Sequence, residues 1–175
     1  MEIQNQKIVT HLSFKNQAVE AARFYCSIFP ESKITSITHL PNTPGGDCEV
    51  VIFQLFGQPF IALGTDFAPS FNESLSLLIQ CETQEEIDDY YEKLSADPEA
   101  EQCGWIKDKY GFSWQITSTQ MATVFDNGSA EDVRKFTEAV WKMKRTDLDK
   151  LNAAILNASE KHKEKKPTKK PLTSC

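Results

Sequence analysis

The sequence predicts an α+β fold in which a strand, a helix and several strands follow one another twice and are then followed by helices. In each half of residues 1–120, short segments of alternating apolar residues surround one segment with apolar residues every three or four positions. Beyond residue 129 only the helical spacing is found. A single module would expose the inner face of its sheet, so we expect the two modules to pair.

The first predicted strand, Lys7–Phe14, separates two kinds of side chain. Leu12 and Phe14 share one face with Ile8, and we expect that face to pack under a helix. The residues of the opposite face are Val9, His11 and Ser13.

Capping and turn residues set the other elements of the first module, which spans about residues 7–64. Asn16 is predicted to cap a helix over Ala18–Phe29, which Pro30 ends. A strand, a turn-rich loop and a two-stranded hairpin then follow: Lys33–Leu40, Pro41–Gly46, Cys48–Phe56 and Gln58–Gly64.

The second module, about residues 72–118, repeats the architecture without repeating the residues. Thr83 and Glu86 have the spacing of a capping box and predict a helix over Gln84–Ser95. The strands predicted around this helix are Ser74–Cys81, Cys103–Asp108 and Phe112–Ser118.

Two further segments follow the paired modules, which together form a domain over residues 1–120. Residues 121–158 are a predicted helical extension, with helices over Ala130–Trp141 and Asp147–Asn157. Residues 159–175 are a basic tail with six lysines within ten residues. Because such a tail buries little apolar area, we expect it to be disordered.

Composition excludes several classes of function. A net charge of −6 disfavours a nucleic-acid-binding protein. We expect no signal peptide and no membrane span, and therefore a cytoplasmic protein. The five cysteines are odd in number and form no CxxC pair, so we expect most of them to be reduced thiols.

Three stretches of the sequence carry a family resemblance. They are Asn16–Ser32, Gly57–Leu63 with Phe71–Glu73, and Glu101–Ile116. Over residues 7–157 the chain resembles the PhnB-like branch of the glyoxalase/bleomycin-resistance (vicinal oxygen chelate) superfamily, a branch often labelled 3-demethylubiquinone-9 3-methyltransferase. The resemblance implies two βαβββ modules whose curved mixed sheets form a cup, and a homodimer. In metal-dependent members, His or Glu side chains from the first and last strands of each module hold a divalent metal.

The residues at the corresponding positions argue against a tightly bound metal. The position on the first strand falls near Val9, with His11 two residues later on the same face. The others fall at about Ala62, at about Ser74, which Glu73 adjoins with opposite parity, and at Gln115. Alanine cannot coordinate, and a neutral amide is a weaker ligand than a carboxylate. We therefore expect no metal cofactor, with His11 and Gln115 as the weak candidates if a divalent metal does bind.

His11 and Cys103 each admit a chemical and a structural interpretation. His11 is a candidate ligand or general base, although a strand histidine bonded to a neighbour or to solvent is the favoured interpretation. Cys103 is a candidate nucleophile only if Lys107 or His11 lies beside it. Otherwise it is a small buried thiol, which we favour.

Trp105 and Gln115 are the strongest candidates for binding a ligand. Trp105 lies on a short predicted strand, and an indole suits the wall of a pocket for a flat organic molecule. Gln115, on the neighbouring strand, can hydrogen-bond such a molecule. The sequence identifies no catalytic residue.

Three functions remain open. The first is a homodimer that binds a small organic molecule without a tightly held metal, and the second is a metal-dependent lyase, isomerase or dioxygenase. The third is a dimeric protein-interaction module that uses the C-terminal helices. Methyl transfer by a nucleotide-binding fold is disfavoured, because Thr10–Gln17 contains no glycine.

Overall fold

The computed structural model describes residues 6–155. It divides into two compact units. The first unit extends to Leu75 and includes Tyr110–Phe112, and the second contains Ser76–Lys109 and the chain from Ser113 onward. The predicted α+β class, with two mixed sheets and C-terminal helices, is confirmed. The basic tail, residues 159–175, lies outside the described residues.

The first unit is a four-stranded mixed sheet with one helix. Its strand order is β1-β4-β3-β2; β1 and β4 are parallel, and the other pairs are antiparallel. The elements are β1 (Thr10–Lys15), α1 (Ala18–Ile28), β2 (Lys33–Thr43), β3 (Gly46–Leu55) and β4 (Gln58–Thr65). The helix buries Ala18, Ala21, Ala22 and Tyr25 completely.

The predicted faces of β1 are confirmed over most of its length. Leu12 and Phe14 are each 2% exposed, whereas His11 is exposed. Ile8 departs from the prediction, because it is 90% exposed and precedes the strand. Pairing with β4 begins only at Thr10, so nothing places Ile8 against the core.

Two local predictions in the first unit are wrong. The capping position of α1 is occupied by Gln17, without a side-chain bond, because Asn16 has a φ of 54° and donates its amide to Asp66 instead. The predicted loop Pro41–Gly46 is mostly strand, since β2 extends to Thr43 and turns directly into β3.

Tyr110 and Phe112 belong to an aromatic cluster of the first unit. The Tyr110 ring lies 5.7 Å from the Phe14 ring, centroid to centroid, and its hydroxyl donates to Glu20 Oε1 at 2.8 Å. The Phe112 ring lies edge-on to the Phe71 ring, with 5.1 Å between the two ring centroids. Edge-to-face pairs stabilise a core beyond the area that they bury, so this part of the Glu101–Ile116 stretch is structural.

The second unit contains a three-stranded sheet of order β5-β7-β6, in which β5 and β7 are parallel. The elements are β5 (Ser76–Cys81), α2 (Gln84–Leu94), β6 (Trp105–Lys107) and β7 (Ser113–Ser118). This sheet has one strand fewer than the first. The three strands are those that the residue pattern predicts for the second half, whereas the βαβββ module that the resemblance implies would have four. α2 buries Ile87, Tyr90, Tyr91 and Leu94.

The C-terminal helices have an apolar cluster of their own. They are α3 (Gln120–Asn127), α4 (Ala130–Trp141) and a last helix over residues 148–155. The buried members of the cluster are Val124, Phe136, Met143 and Leu151. α4 has the bounds that its apolar spacing predicts, whereas α3 was not predicted. No helix within residues 6–155 combines the length and the apolar character that a membrane crossing requires.

A cluster of side chains holds the segment between α4 and the last helix against Glu101, Ser95 and Tyr91 of the same unit. Glu101, which is 6% exposed, accepts two bonds from Arg145, at 2.8 and 2.9 Å, and one from Ser95 at 2.7 Å. Arg145 also lies over the Tyr91 ring, 4.9 Å from its centroid. These bonds, chiefly those from Arg145, lower the pKa of Glu101. We refer to Glu101, Arg145, Ser95 and Tyr91 as the Arg145 clasp.

Capping gives a testable expectation for α2. Thr83 accepts a hydrogen bond from the backbone N–H of Glu86 at 3.2 Å, and Glu86 accepts one from Glu82 N at 2.8 Å. Replacing Thr83 with alanine should lower the free energy of unfolding by about 1 kcal/mol in urea denaturation. Thr119→Ala is the matched control, because Thr119 at the start of α3 makes no capping bond. Equal losses in the two variants would contradict a capping role.

Candidate functional site

Trp105 and Gln115 lie side by side on one face of the second sheet. Gln115 in β7 is paired with Trp105 in β6 and with Leu78 in β5. Paired residues on neighbouring strands project to the same side, so these three side chains form a row. We call this side of the sheet the Gln115 face. Trp105 and Gln115 are both half-buried.

The adjacent row of the same face is polar. It consists of Ser76, Ser113 and Lys107, which are paired across the three strands. Gln115 Nε2 donates to Ser76 Oγ at 2.8 Å and so links the two rows. Sequence reasoning missed Ser76 and Ser113. For Ser113 the two-residue period of a strand could have indicated this, because Ser113 precedes Gln115 by two residues and therefore shares its face.

The opposite side of the second sheet is core. Trp114 is 2% exposed, and Ile106 and Ile116 beside it are buried. The indole N–H of Trp114 donates to Asp108 Oδ2 at 2.8 Å, and Asp108 is itself only 3% exposed. A buried carboxylate needs such partners, and this bond fixes the end of β6 relative to β7.

His11 lies in the first unit, whereas the other three candidate residues belong to the second. It is paired with Ile61 of β4, and Ser13 is paired with Leu63. The register continues to Ile52 and Val50 of β3. This side of the first sheet is therefore a half-buried apolar surface with His11 at its exposed margin.

Two of the positions compared with metal ligands were assigned wrongly. Ala62 is paired with Leu12 and is fully buried, so it faces the helix and not the side that carries His11. The position on the His11 side is Ile61, which also has no donor atom. Ser74 lies in a turn before β5, and Ser76 is the β5 residue on the Gln115 face.

Cys103 is not on a strand, contrary to the prediction of a strand over Cys103–Asp108. It lies in a tight turn with a φ of 56°, and β6 begins at Trp105. Its Sγ is 3.7 Å from the Trp141 carbonyl oxygen and accepts from Gln102 Nε2 at 3.4 Å. These neighbours are neutral, and neither His11 nor Lys107 is among the hydrogen-bond partners of Cys103.

Of the other described cysteines, Cys48 and Cys81 are buried and Cys26 is half-buried. Cys81 is fully buried, and burial, with the nearby Glu86 carboxylate, raises its pKa to about 12. Burial also raises the pKa of the Cys26 thiol. A thiol with a raised pKa is a poor nucleophile at neutral pH. Cys26, Cys48, Cys81 and Cys103 are all free.

The donor set does not fit the four-ligand metal centre that the resemblance implies. Of the positions involved, Ile61 has no donor, Ser76 offers a hydroxyl and Gln115 a neutral amide. In the described part of the chain, no three His, Cys, Asp or Glu residues are placed to hold a metal ion.

Two clefts lie elsewhere in the molecule. One of about 1170 Å³ adjoins the Arg145 clasp in the second unit, with cationic and anionic side chains in equal number. The other, about 560 Å³, is in the first unit beside Asp47, Glu49 and Asp66. Neither is lined by any of the four candidate residues.

The two mixed sheets, each covered by a helix, define the glyoxalase-like α+β class of protein. The chain belongs to the family described as 3-demethylubiquinone-9 3-methyltransferase, whose model matches residues 6–117. This confirms the resemblance to the PhnB-like branch of the glyoxalase superfamily.

Several solved structures are similar to this chain. A PhnB protein of Bacillus cereus, which carries the same methyltransferase label, is 37% identical, with a TM-score of 0.56; the match covers 65% of this chain and 100% of that one. A protein from Pseudomonas aeruginosa shares the fold at 14% identity and a TM-score of 0.51, over 65% and 98% of the two chains. A glyoxalase family protein from Enterococcus faecalis is 17% identical, with a TM-score of 0.42, over 66% and 98%. No curated protein matches the chain.

Proposed function

We propose that this protein binds a small, flat organic molecule on the Gln115 face, with Trp105 as its aromatic wall, and that binding does not require a tightly held metal. The observation that carries the proposal is the pairing of Trp105 with Gln115, which puts a half-buried indole beside a half-buried amide. The face joins two apolar side chains, Trp105 and Leu78, to placed polar groups, and such polar groups fix the orientation of a ligand in a site.

The structure supports an uncharged mode of recognition. The polar groups of the Gln115 face are mostly neutral, and Lys107 is the charged side chain of its two rows. The methyltransferase label is not the basis of the proposal, because only Asn16 and Gln17 separate β1 from α1, and neither is glycine. A protein that sequesters its ligand needs only a complementary surface.

Loss of the Trp105 indole should weaken binding strongly. A panel of small aromatic compounds is first screened against the full chain by thermal shift, and dissociation constants of the hits are then measured by calorimetry. Trp105→Ala should raise the dissociation constant about tenfold, because stacking on an indole contributes roughly 1–1.5 kcal/mol. Trp141→Ala is the matched control, since Trp141 is 67% exposed on α4 and should leave binding unchanged. Equal affinity of the Trp105 variant and the wild type would refute the proposed site.

Metal content is a separate test of the same proposal. Protein purified without chelators should contain far less than stoichiometric divalent metal by elemental analysis. Addition of zinc, nickel, manganese or iron should not change the affinity for a hit from the screen. Stoichiometric copurified metal that His11→Ala removes would show that the metal-dependent alternative is correct.

A second candidate is a homodimeric interaction module built on the C-terminal helices. Two exposed aromatic side chains favour it, namely Phe125 at 56% and Trp141 at 67% exposure. We expect a homodimer in light scattering. If truncation after Thr146 yields a monomer, the last helix contributes to the dimer.

A further inference from the structure

Ser113 carries a buried hydroxyl for which the described chain offers no partner. The residue is 1% exposed, and its Oγ makes no hydrogen bond within residues 6–155. An unpaired buried polar group destabilises a fold by about 1–3 kcal/mol. Most such groups are paired with protein or with an ordered molecule, so this hydroxyl calls for a partner from outside residues 6–155.

The register places Ser113 on the Gln115 face. It is paired directly with Ser76 in β5 and with Lys107 in β6, and it precedes Gln115 by two residues. The Ser76 Oγ accepts a hydrogen bond from the Gln115 amide, and the Ser76 O–H can still donate to another acceptor. The Ser76 hydroxyl proton is thus available one row away from the Trp105 indole. The Ser113 hydroxyl beside it is enclosed, so a ligand reaches it only when the side chains that cover it move aside.

We infer that the Ser113 hydroxyl binds an oxygen, either hydroxyl or carbonyl, of an uncharged aromatic ligand that lies against Trp105. The inference rests on the proposed function and names the class of ligand. Hydroxyl donors suit an oxygen acceptor, and the face has no arginine to hold a carboxylate or a phosphate in two bonds. Lys107, in the same row, already takes part in an interaction within the chain.

The first experiment compares two probes of similar shape that differ in one oxygen. Binding of p-fluorophenol and p-fluorotoluene to the full chain is measured by fluorine NMR titration. The dissociation constant of the wild type for p-fluorophenol should be about fivefold lower than for p-fluorotoluene, because one hydrogen bond contributes about 1 kcal/mol. Ser113→Ala should abolish this preference and leave the affinity for p-fluorotoluene unchanged.

Ser118→Ala is the matched control. Ser118 is also 1% exposed and also in β7, but it lies on the opposite face, and its Oγ accepts a bond from Gln120 N at 3.1 Å. The preference for p-fluorophenol should therefore persist in this variant. If Ser118→Ala removes it as well, the effect is a general consequence of damage to β7 and the inference fails.

The second experiment measures stability without any probe. Ser113→Ala removes an unpaired hydroxyl and should raise the thermal midpoint, whereas Ser118→Ala removes a paired one and should lower it. A lower midpoint for Ser113→Ala would show that a protein group or an ordered water already satisfies the hydroxyl. That result would overturn the inference.

The outcomes separate this inference from the proposed function. If the wild type binds both probes equally well and Trp105→Ala weakens both, the proposed function stands and the role of Ser113 is refuted. If the wild type binds neither probe and no compound of the aromatic panel, both are refuted.

Discussion

Replacing Gly104 with alanine should lower the free energy of unfolding by roughly 3–4 kcal/mol, one of the largest effects expected of a single methyl group in this chain. Gly104 has a φ of +85°, which costs a residue with a Cβ about 1–2 kcal/mol. The added Cβ would also lie 2.8 Å from the carbonyl oxygen of Ile116 and 3.2 Å from Thr146 Oγ1. The first contact is with backbone and cannot be relieved by a change of rotamer.

The position of Gly104 explains why relaxation would be costly. Its carbonyl accepts from Ile116 N at 2.8 Å, and its N–H donates to Lys144 O at 3.0 Å. Thr146 Oγ1 donates to the same Ile116 carbonyl at 2.5 Å. A shift of the turn would therefore disturb both β7 and the segment after α4.

Gly111→Ala is the control that separates conformation from contact. Gly111 has a φ of +77°, and nothing lies within 4 Å of the place that an added Cβ would take. Its substitution should cost about 1–2 kcal/mol, which is the conformational part alone. Both variants are compared by urea denaturation. Equal losses of unfolding free energy in the two variants would show that the contact of the added methyl group with Ile116 does not affect stability.

Breaking the Arg145 clasp should produce the second large effect. Arg145→Met keeps the aliphatic stem but leaves the Glu101 carboxylate buried with Ser95 as its remaining donor. Removing one partner of a buried ion pair costs about 3–5 kcal/mol. Because Arg145 is 52% exposed and water can replace part of its charge, we expect roughly 2–3 kcal/mol.

A matched variant and a double variant test this assignment. Arg134→Met removes an arginine that bonds Glu131 and Glu138 on the surface of α4, and it should leave the unfolding midpoint nearly unchanged. Combining Arg145→Met with Glu101→Gln should recover part of the loss, since no buried charge is then left unpaired. Without such recovery, the loss must come from the Tyr91 contact and not from the carboxylate.

The dependence on pH follows from the lowered pKa of Glu101. A depressed carboxyl pKa contributes stability that is fully present above the ordinary value of 4.5 and is lost as the pH falls through the folded value. The penalty of Arg145→Met should therefore be larger at neutral pH than at an acidic pH below the folded pKa, because protonation removes the carboxylate charge that Arg145 pairs. A constant penalty at both pH values would exclude the ion pair as its cause.

Local patterns located most of the elements because they report on periodicity. Alternation along β1 separated Leu12 and Phe14 from His11, and helical spacing located α2 and α4. The same patterns placed Trp105 and Gln115 on neighbouring strands. α3 was missed, because it is short and buries only Val124, so its apolar stripe is weak.

Errors at the site arose where pairing, not periodicity, decides the outcome. Ala62 was assigned to the wrong side because the face of β4 depends on its register with β1, and a shift of one residue exchanges the two faces. Cys103 was placed on a strand, although the backbone there turns to bond Met143 O. The four candidate residues themselves stay predictions until ligand or metal binding is measured.

By itself, the sequence determined the class of fold, the order of its elements and the family, because alternation, helical spacing and the Glu101–Ile116 stretch are properties of neighbouring residues. Only the tertiary structure decided that Ser113 is buried without a partner, that Gly104 abuts Ile116 and that Arg145 binds Glu101. The physical reason is that each of these depends on how closely separate segments approach. Hydrogen bonds and steric contacts change over tenths of an ångström, a scale that no pattern of residue types records.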